Sequence, residues 1–186
     1  MSIELYAAQS LPPNDLDRLA EFVADFTNSP AGLEARLLPL DAAEVRKRVG
    51  FVACEGNEFR GYAGTSPPIP DDTRVELGPF IVPPEYRRGG VGILLVAAAV
   101  SSAVRAGFVP YVFGNAANIG NLTRAGLRPC ADEVFPEQSF GLCQTTCRLY
   151  NPGDACCSVP VMFDRETEVQ DVPAREWPAD LQLRMP

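Results

Sequence analysis

The segment from Arg74 to Ala106 constrains the fold most. Arg74 to Val82 reads as a strand that ends at Pro83-Pro84, and Gly90 to Ala106 reads as the longest helix of the chain. Between them stands Arg87-Arg88-Gly89-Gly90-Val91-Gly92, with three glycines within four residues. Glycine has no Cβ, so a ligand can approach the backbone closely, and the amides that open the helix are unpaired donors suited to an anion. Arg87 and Arg88 add positive charge where the helix dipole already favours an anion by roughly 0.3–1 kcal/mol. A diphosphate suits such a turn. Tight strand-to-helix packing would also require glycine, and the turn alone does not separate the two readings.

The rest of the chain reads as alternating elements around this unit. Ile3 to Ala8 is predicted as a first strand, and Asp15 to Phe26 as a helix with Leu16, Leu19, Phe22, Val23 and Phe26 on one face. Asn28-Ser29-Pro30-Ala31-Gly32 breaks the chain, and Asp41-Ala42-Ala43-Glu44 caps a short helix running to about Val49. Phe51 to Cys54 and Phe59 to Thr65 flank Glu55-Gly56-Asn57-Glu58 as a hairpin, and the proline-rich run from Ser66 to Asp72 is a loop. Beyond the long helix, Tyr111 to Gly114 is predicted as a buried strand and Asn118 to Ala125 as a helix stopped by Gly126. Pro136 to Tyr150 is predicted as a helix and Cys156 to Phe163 as a last strand. This order is that of one mixed α/β, or α+β, domain over residues 1–163. The polar, proline-containing residues 164–186 are expected to be a tail that wraps the domain or stays mobile.

Composition removes several kinds of chemistry. The 186 residues include no histidine, which excludes a Ser-His or Cys-His couple and any histidine-ligated metal. A general base must then be a carboxylate, tyrosine, lysine or thiolate. The formal charge of −8 opposes nonspecific binding to nucleic acid or to an anionic membrane. A neutral or cationic small molecule fits better. Of the six cysteines (Cys54, Cys130, Cys143, Cys147, Cys156, Cys157), four lie between 143 and 157, but the adjacent Cys156-Cys157 does not make the second half of a zinc site. No metal is expected; buried thiols are the preferred reading, with a disulfide as the alternative. Val91 to Val104 is too short to span a bilayer and the N-terminus lacks a signal-peptide pattern, so the expected location is cytoplasmic.

The phosphate loop with its lysine and the dinucleotide fingerprint both fail here, the first for want of the Lys-Ser/Thr pair and the second because the glycines do not follow the first strand. The turn and its surroundings instead resemble the GNAT N-acetyltransferase superfamily, whose central motif is a strand, then Arg/Gln-x-x-Gly-x-Gly/Ala, then a helix. Arg87 to Gly92 matches each specified position, and Val75 to Tyr86 is similar to the family's fourth strand and the loop after it. A second block, Asn115-Ala116-Ala117-Asn118 to Arg124-Ala125-Gly126-Leu127, is similar to the asparagine-led helix ending in Gly-Phe, with Leu127 replacing phenylalanine.

The resemblance implies a mixed, mostly antiparallel central sheet with helices on both faces, and acetyl-CoA or another acyl-CoA as co-substrate. It assigns the pyrophosphate to Arg87, Arg88, Gly89, Gly90, Val91 and Gly92, and the pantetheine arm to the main chain of Phe80 and Val82, with Asn115 nearby or else a helix cap. Glu76 is the expected base, on the premise that Glu76, Gly78, Phe80 and Val82 share one face of the strand. The tyrosine that protonates the departing thiolate in many relatives is Leu122 here, which leaves Tyr111 as a candidate, with Tyr86 or solvent as alternatives. Without histidine to activate a cysteine, direct transfer in a ternary complex is preferred to an acyl-enzyme on Cys130 or Cys143. The expected acceptor is a small-molecule amine or a protein amine, with a homodimer left open. A catalytically weak acyl-CoA-binding or regulatory module is the second reading, because of Leu122.

Overall fold

The computed structural model describes residues 2–35, 37–114, 118–130, 159–163, 172–178 and 181–186, without the side chains of 33 and 159–162. Seven strands form one sheet: β1 (Glu4–Ala7), β2 (Val49–Glu55), β3 (Glu58–Thr65), β4 (Arg74–Ile81), β5 (Val109–Gly114), β6 (Leu127–Pro129) and β7 (Val159–Phe163). Their spatial order is β1-β2-β3-β4-β5-β7-β6. Every neighbouring pair is antiparallel except β4 with β5, which is parallel because a helix crosses between them. That helix is α4 (Val91–Arg105); the others are α1 (Pro13–Asn28), α2 (Pro30–Glu34), α3 (Ala42–Arg46) and α5 (Ile119–Arg124).

Alternation along the strands sends side chains to two separate cores. Leu5, Phe51, Ala53, Ala63 and Leu77 pack with Val91, Leu95 and Ala99 of α4 on one face. Tyr6, Val52, Cys54 and Tyr62 pack with Leu19, Ala20 and Val23 of α1 on the other. The predicted helical face of α1 is therefore the one that covers the sheet, although its boundaries extend to Pro13 and Asn28. Proline at the first helical position accounts for the earlier start, since that residue needs no intrahelical N–H partner.

Two elements escape the sequence reading. The stretch read as a break after Asn28 contains the short helix α2, and the three residues of β6 follow α5 directly. The third helix ends at Arg46 rather than Val49, because Val49 already pairs with Thr65 in the hairpin. Its start is as expected: Asp41 accepts from the Glu44 amide at 2.8 Å while Glu44 accepts from the Asp41 amide at 3.0 Å. The predicted helix over 136–150, and Cys143, Cys147, Cys156 and Cys157, lie outside the described residues.

Part of the polar C-terminal segment contributes to the core. Arg175 extends the β1 edge, with its amide donating to the Leu5 carbonyl at 2.8 Å and its carbonyl accepting from the Ala7 amide at 3.0 Å. Trp177 is buried edge-on against Tyr6 with ring centroids 4.7 Å apart, and its Nε1 donates to the Leu181 carbonyl at 2.9 Å. Leu183 is fully buried, and its amide donates to the buried carboxylate of Asp15 at 3.1 Å. The free edge of β1 is thereby covered. Among the described residues, no helix is long and apolar enough to cross a membrane.

Candidate functional site

Glu76 and the end of β4 do not share a face, which corrects the expectation that Glu76, Gly78, Phe80 and Val82 do. On β3, Ala63 stands opposite Phe80 and Thr65 opposite Leu77, so two steps along β3 match three along β4. The extra residue is a bulge at Gly78-Pro79. Gly78 has φ 143, a conformation that side chains rarely adopt, and proline lacks the N–H that a regular ladder requires. Leu77 and Phe80 consequently both pack towards α4, whereas Ile81 joins Tyr62 in the opposite core. Glu76, next to Leu77, points to the α1 side of the sheet, away from Phe80 and Val82.

The same strand parts from β5. Among the described residues, the parallel register runs from Arg74 opposite Val109 to Glu76 opposite Tyr111 and stops. Beyond that point β4 continues to Ile81 with β3 beside it, and β5 continues to Gly114 with β7 beside it. A wedge of unpaired main chain opens between them, with Glu76 and Tyr111 at its apex on one face of the sheet.

The glycine turn lies at the far end of β4. Arg88 has φ 69 and Gly90 φ 83, so the chain enters α4 through two left-handed residues, one of them not glycine. Holding Arg88 there costs about 1 kcal/mol or more. Gly90 is the N-cap, without a side-chain hydrogen bond, and the first helical bond runs from the Leu94 amide to the Gly90 carbonyl at 3.2 Å. The amides of the first turn are thus left for another acceptor. Arg87 folds back so that Nε donates to the Val82 carbonyl at 3.1 Å, which keeps its charge at the turn. Tyr86, just before it, lies under the Arg60 guanidinium at 4.2 Å from the ring centroid.

Around Glu76 the polar groups come from distant parts of the chain. Its amide donates to Ser66 Oγ at 3.2 Å and its carbonyl accepts from the Ser66 amide at 2.8 Å, which fixes the main chain. Burial pushes its carboxyl above the usual glutamate range, and the Arg48 guanidinium opposes this. Arg48, between α3 and β2, donates from Nη1 to the Gly78 carbonyl at 2.9 Å. The Tyr62 hydroxyl lies over the Gly50–Gly64 pair: a Cβ on either glycine would come within 2.7 Å of it. Burial pushes the Tyr62 phenol up to about 12, with Arg48 opposing, so it remains a hydrogen-bond donor at neutral pH.

The family model for the acetyltransferase (GNAT) family matches residues 16–126 of this chain. The chain belongs to the GNAT acetyltransferase family. No curated protein matches it in sequence. An N-acetylglutamate synthase from Neisseria gonorrhoeae, solved with coenzyme A and N-acetyl-glutamate, has a similar fold at a TM-score of 0.55 and 12% identity, over 87% of this chain and 34% of that one. This GNAT chain therefore spans about a third of the synthase. A Bacillus subtilis acetyltransferase in complex with CoA gives 0.55 at 19% identity over 88% and 99% of the two chains. A GNAT acetyltransferase from Staphylococcus aureus gives 0.57 at 13% over 87% and 98%.

Within the GNAT sheet, the predicted site residues fall into two groups. Phe80, Val82 and the Arg87 to Gly92 turn follow one another along the end of β4 into α4. Glu76 and Tyr111 are partners in register at the wedge apex. Asn115 lies outside the described residues. Leu122 is fully buried in the α4-side core, and a Cβ on Gly114 would lie 2.9 Å from its Cδ1. That position carries no proton donor. Tyr86, stacked under Arg60, is held at the turn and away from Glu76. Cys54 is buried among apolar side chains that push its thiol up to about 12, with Arg60 opposing, which makes it inert as a nucleophile. Sequence reasoning missed Arg48 and Tyr62. The available signal was the pairing of Gly50 with Gly64 beside an aromatic residue, which marks room kept for a ring.

Proposed function

We propose that this chain is an N-acyltransferase that moves an acetyl group from acetyl-CoA to a primary amine by direct transfer. The observation that carries the proposal is the wedge between β4 and β5, which joins an open glycine turn at the head of α4 to a half-buried carboxylate at its apex. The pyrophosphate takes the amides of Arg88, Gly89, Gly90, Val91 and Gly92, with charge from Arg87. The pantetheine takes main-chain groups of Phe80 and Val82 along the wedge. Two relatives by fold, from Neisseria gonorrhoeae and Bacillus subtilis, were solved with coenzyme A, which supports the same co-substrate here.

The acceptor nitrogen is reactive only when neutral. The Glu76 carboxylate takes its proton, directly or through one water, and the freed lone pair attacks the thioester carbonyl. The C–N bond forms, the tetrahedral intermediate collapses, and the C–S bond breaks to release CoA as thiolate. Tyr111, opposite Glu76, is the proposed donor of the proton that the thiolate takes. The bulge gives these roles separate sides: Glu76 faces the α1 side, from which an acceptor enters, while Phe80 and Val82 face α4.

Calorimetric titration with acetyl-CoA and with CoA, followed by thiol release across a panel of amines, tests the proposal. Micromolar to millimolar binding with amine-dependent release is expected. Absence of acetyl-CoA binding would reject it. Binding without release from any amine supports the second reading, an acyl-CoA-binding or regulatory module, which the buried Leu122 favours.

A further inference from the structure

We infer that the acceptor carries a carboxylate beside its amine and that the Arg48 guanidinium, with the Tyr62 hydroxyl, binds that carboxylate. The inference rests on the acyltransferase reading and narrows its acceptor to amino acids, as against polyamines, aminoglycosides or peptide N-termini.

Arg48 is set up as a recognition group. Its main chain is held on both sides, by the amide donating to the Val45 carbonyl at 3.1 Å and by Gln9 Nε2 donating to its carbonyl at 2.5 Å. Nη1 is occupied by the Gly78 carbonyl, yet Nε is buried with no hydrogen-bond partner. A buried N–H left without a partner costs on the order of 1–3 kcal/mol, more when charged, so a small shift of the guanidinium that brings Nε to a ligand oxygen is favoured. Arg18, Arg46, Arg60, Arg74 and Arg175 each pair with a carboxylate of the chain. Arg48 has no described carboxylate within ion-pair distance, and unlike Arg87, Arg88, Arg124, Arg128 and Arg184, which are exposed, it is half-buried.

Tyr62 and Glu76 complete the set. Arg48 lies within Coulombic reach of both. Among the described residues neither the Tyr62 hydroxyl nor the Glu76 carboxylate has a hydrogen-bond partner, although both point to the α1 side of the sheet. One face thus presents a cation and a neutral donor beside an anion, with Gly50 and Gly64 leaving room for the phenol. A zwitterion matches this pattern: its carboxylate meets Arg48 and Tyr62 while its ammonium meets Glu76, the group that must take the proton. A simple amine would leave the guanidinium Nε unsatisfied.

The test compares amino acids with their amides and their decarboxylated amines, by thiol release and by calorimetric binding to the CoA-loaded protein. The acid should be preferred to its amide about 10–100-fold in kcat/KM or in affinity. In Arg48→Gln and Tyr62→Phe the preference should shrink towards one, through KM more than kcat, while affinity for acetyl-CoA is kept. Arg48→Lys should restore part of it. Loss of fold or a general loss of activity would not change that ratio selectively. Equal use or equal binding of acid and amide, an unchanged ratio in Arg48→Gln, or failure of every amino acid to bind would overturn the inference. Loss of acetyl-CoA binding by the unmodified protein would instead overturn the acyltransferase reading itself.

Discussion

Arg48 donates from Nη1 to the carbonyl oxygen of Gly78 at 2.9 Å, which ties the connection before β2 to the bulge of β4. The contact places a positive charge two residues along the chain from Glu76 and at the residue where the strand changes face. Base, bulge and cation are therefore one unit, and a change in any of them is expected to reach the others.

The pH dependence of turnover follows from this arrangement. A base acts only when ionised, so kcat/KM falls as pH drops through the pKa of Glu76 in the folded protein. Burial raises that pKa and Arg48 lowers it, so the acidic limb should lie above about 4.3, the ordinary glutamate value. Arg48→Gln removes the lowering charge and should move the limb to higher pH. A pH profile of kcat/KM checks this, and a limb that moves down in Arg48→Gln would contradict the assignment.

Gly90 bears on both stability and binding. At φ 83 a Cβ is unfavourable, so Gly90→Ala should cost about 1–2 kcal/mol in urea denaturation. Gly90→Glu brings a carboxylate to the proposed pyrophosphate site, where like charges about 4 Å apart repel by about 4 kcal/mol at an effective dielectric of 20. Acetyl-CoA affinity should fall by about 100-fold or more in calorimetry. Unchanged affinity would refute the placement.

The glycine turn was legible in the sequence because its chemistry is main-chain chemistry, written directly in the spacing of glycines. The bulge was not, because Gly78-Pro79 sits inside a strand whose burial still alternates residue by residue, and only the register with β3 reveals the change of face. Arg48 stood in a short connection, and it gains its role from Gly78, 30 residues later. Tyr62 looked like any strand aromatic. Trp177 and Leu183 were hidden in a polar, proline-rich stretch, where composition does not show which single side chains meet a distant core.

Leu122 tests whether the family's missing hydroxyl can simply be put back. Its side chain fills the space beside Gly114 and α4 with no exposure. Leu122→Tyr should therefore destabilise the fold by about 1–3 kcal/mol through overpacking, without raising thiol release. Denaturant titration together with the amine assay distinguishes this from a gain in rate with stability unchanged.

The C-terminal segment is expected to behave as part of the domain. Trp177→Ala removes a buried ring packed on Tyr6 and the Nε1 bond to Leu181, and should cost about 3–5 kcal/mol. Thermal or chemical unfolding reads this directly. A loss below about 1 kcal/mol would mean that residues 172–186 contribute little to folding.

The central claim is that Glu76 is the base of an acetyl-CoA-dependent transfer. The most direct measurement is acetylation of an amine by wild type and Glu76→Gln at neutral pH, followed by thiol release and by mass of the product. The expected result is amine-dependent acetylation by wild type and a fall of about 10²–10⁴-fold in Glu76→Gln, with acetyl-CoA affinity retained. Equal rates from the two proteins would contradict it.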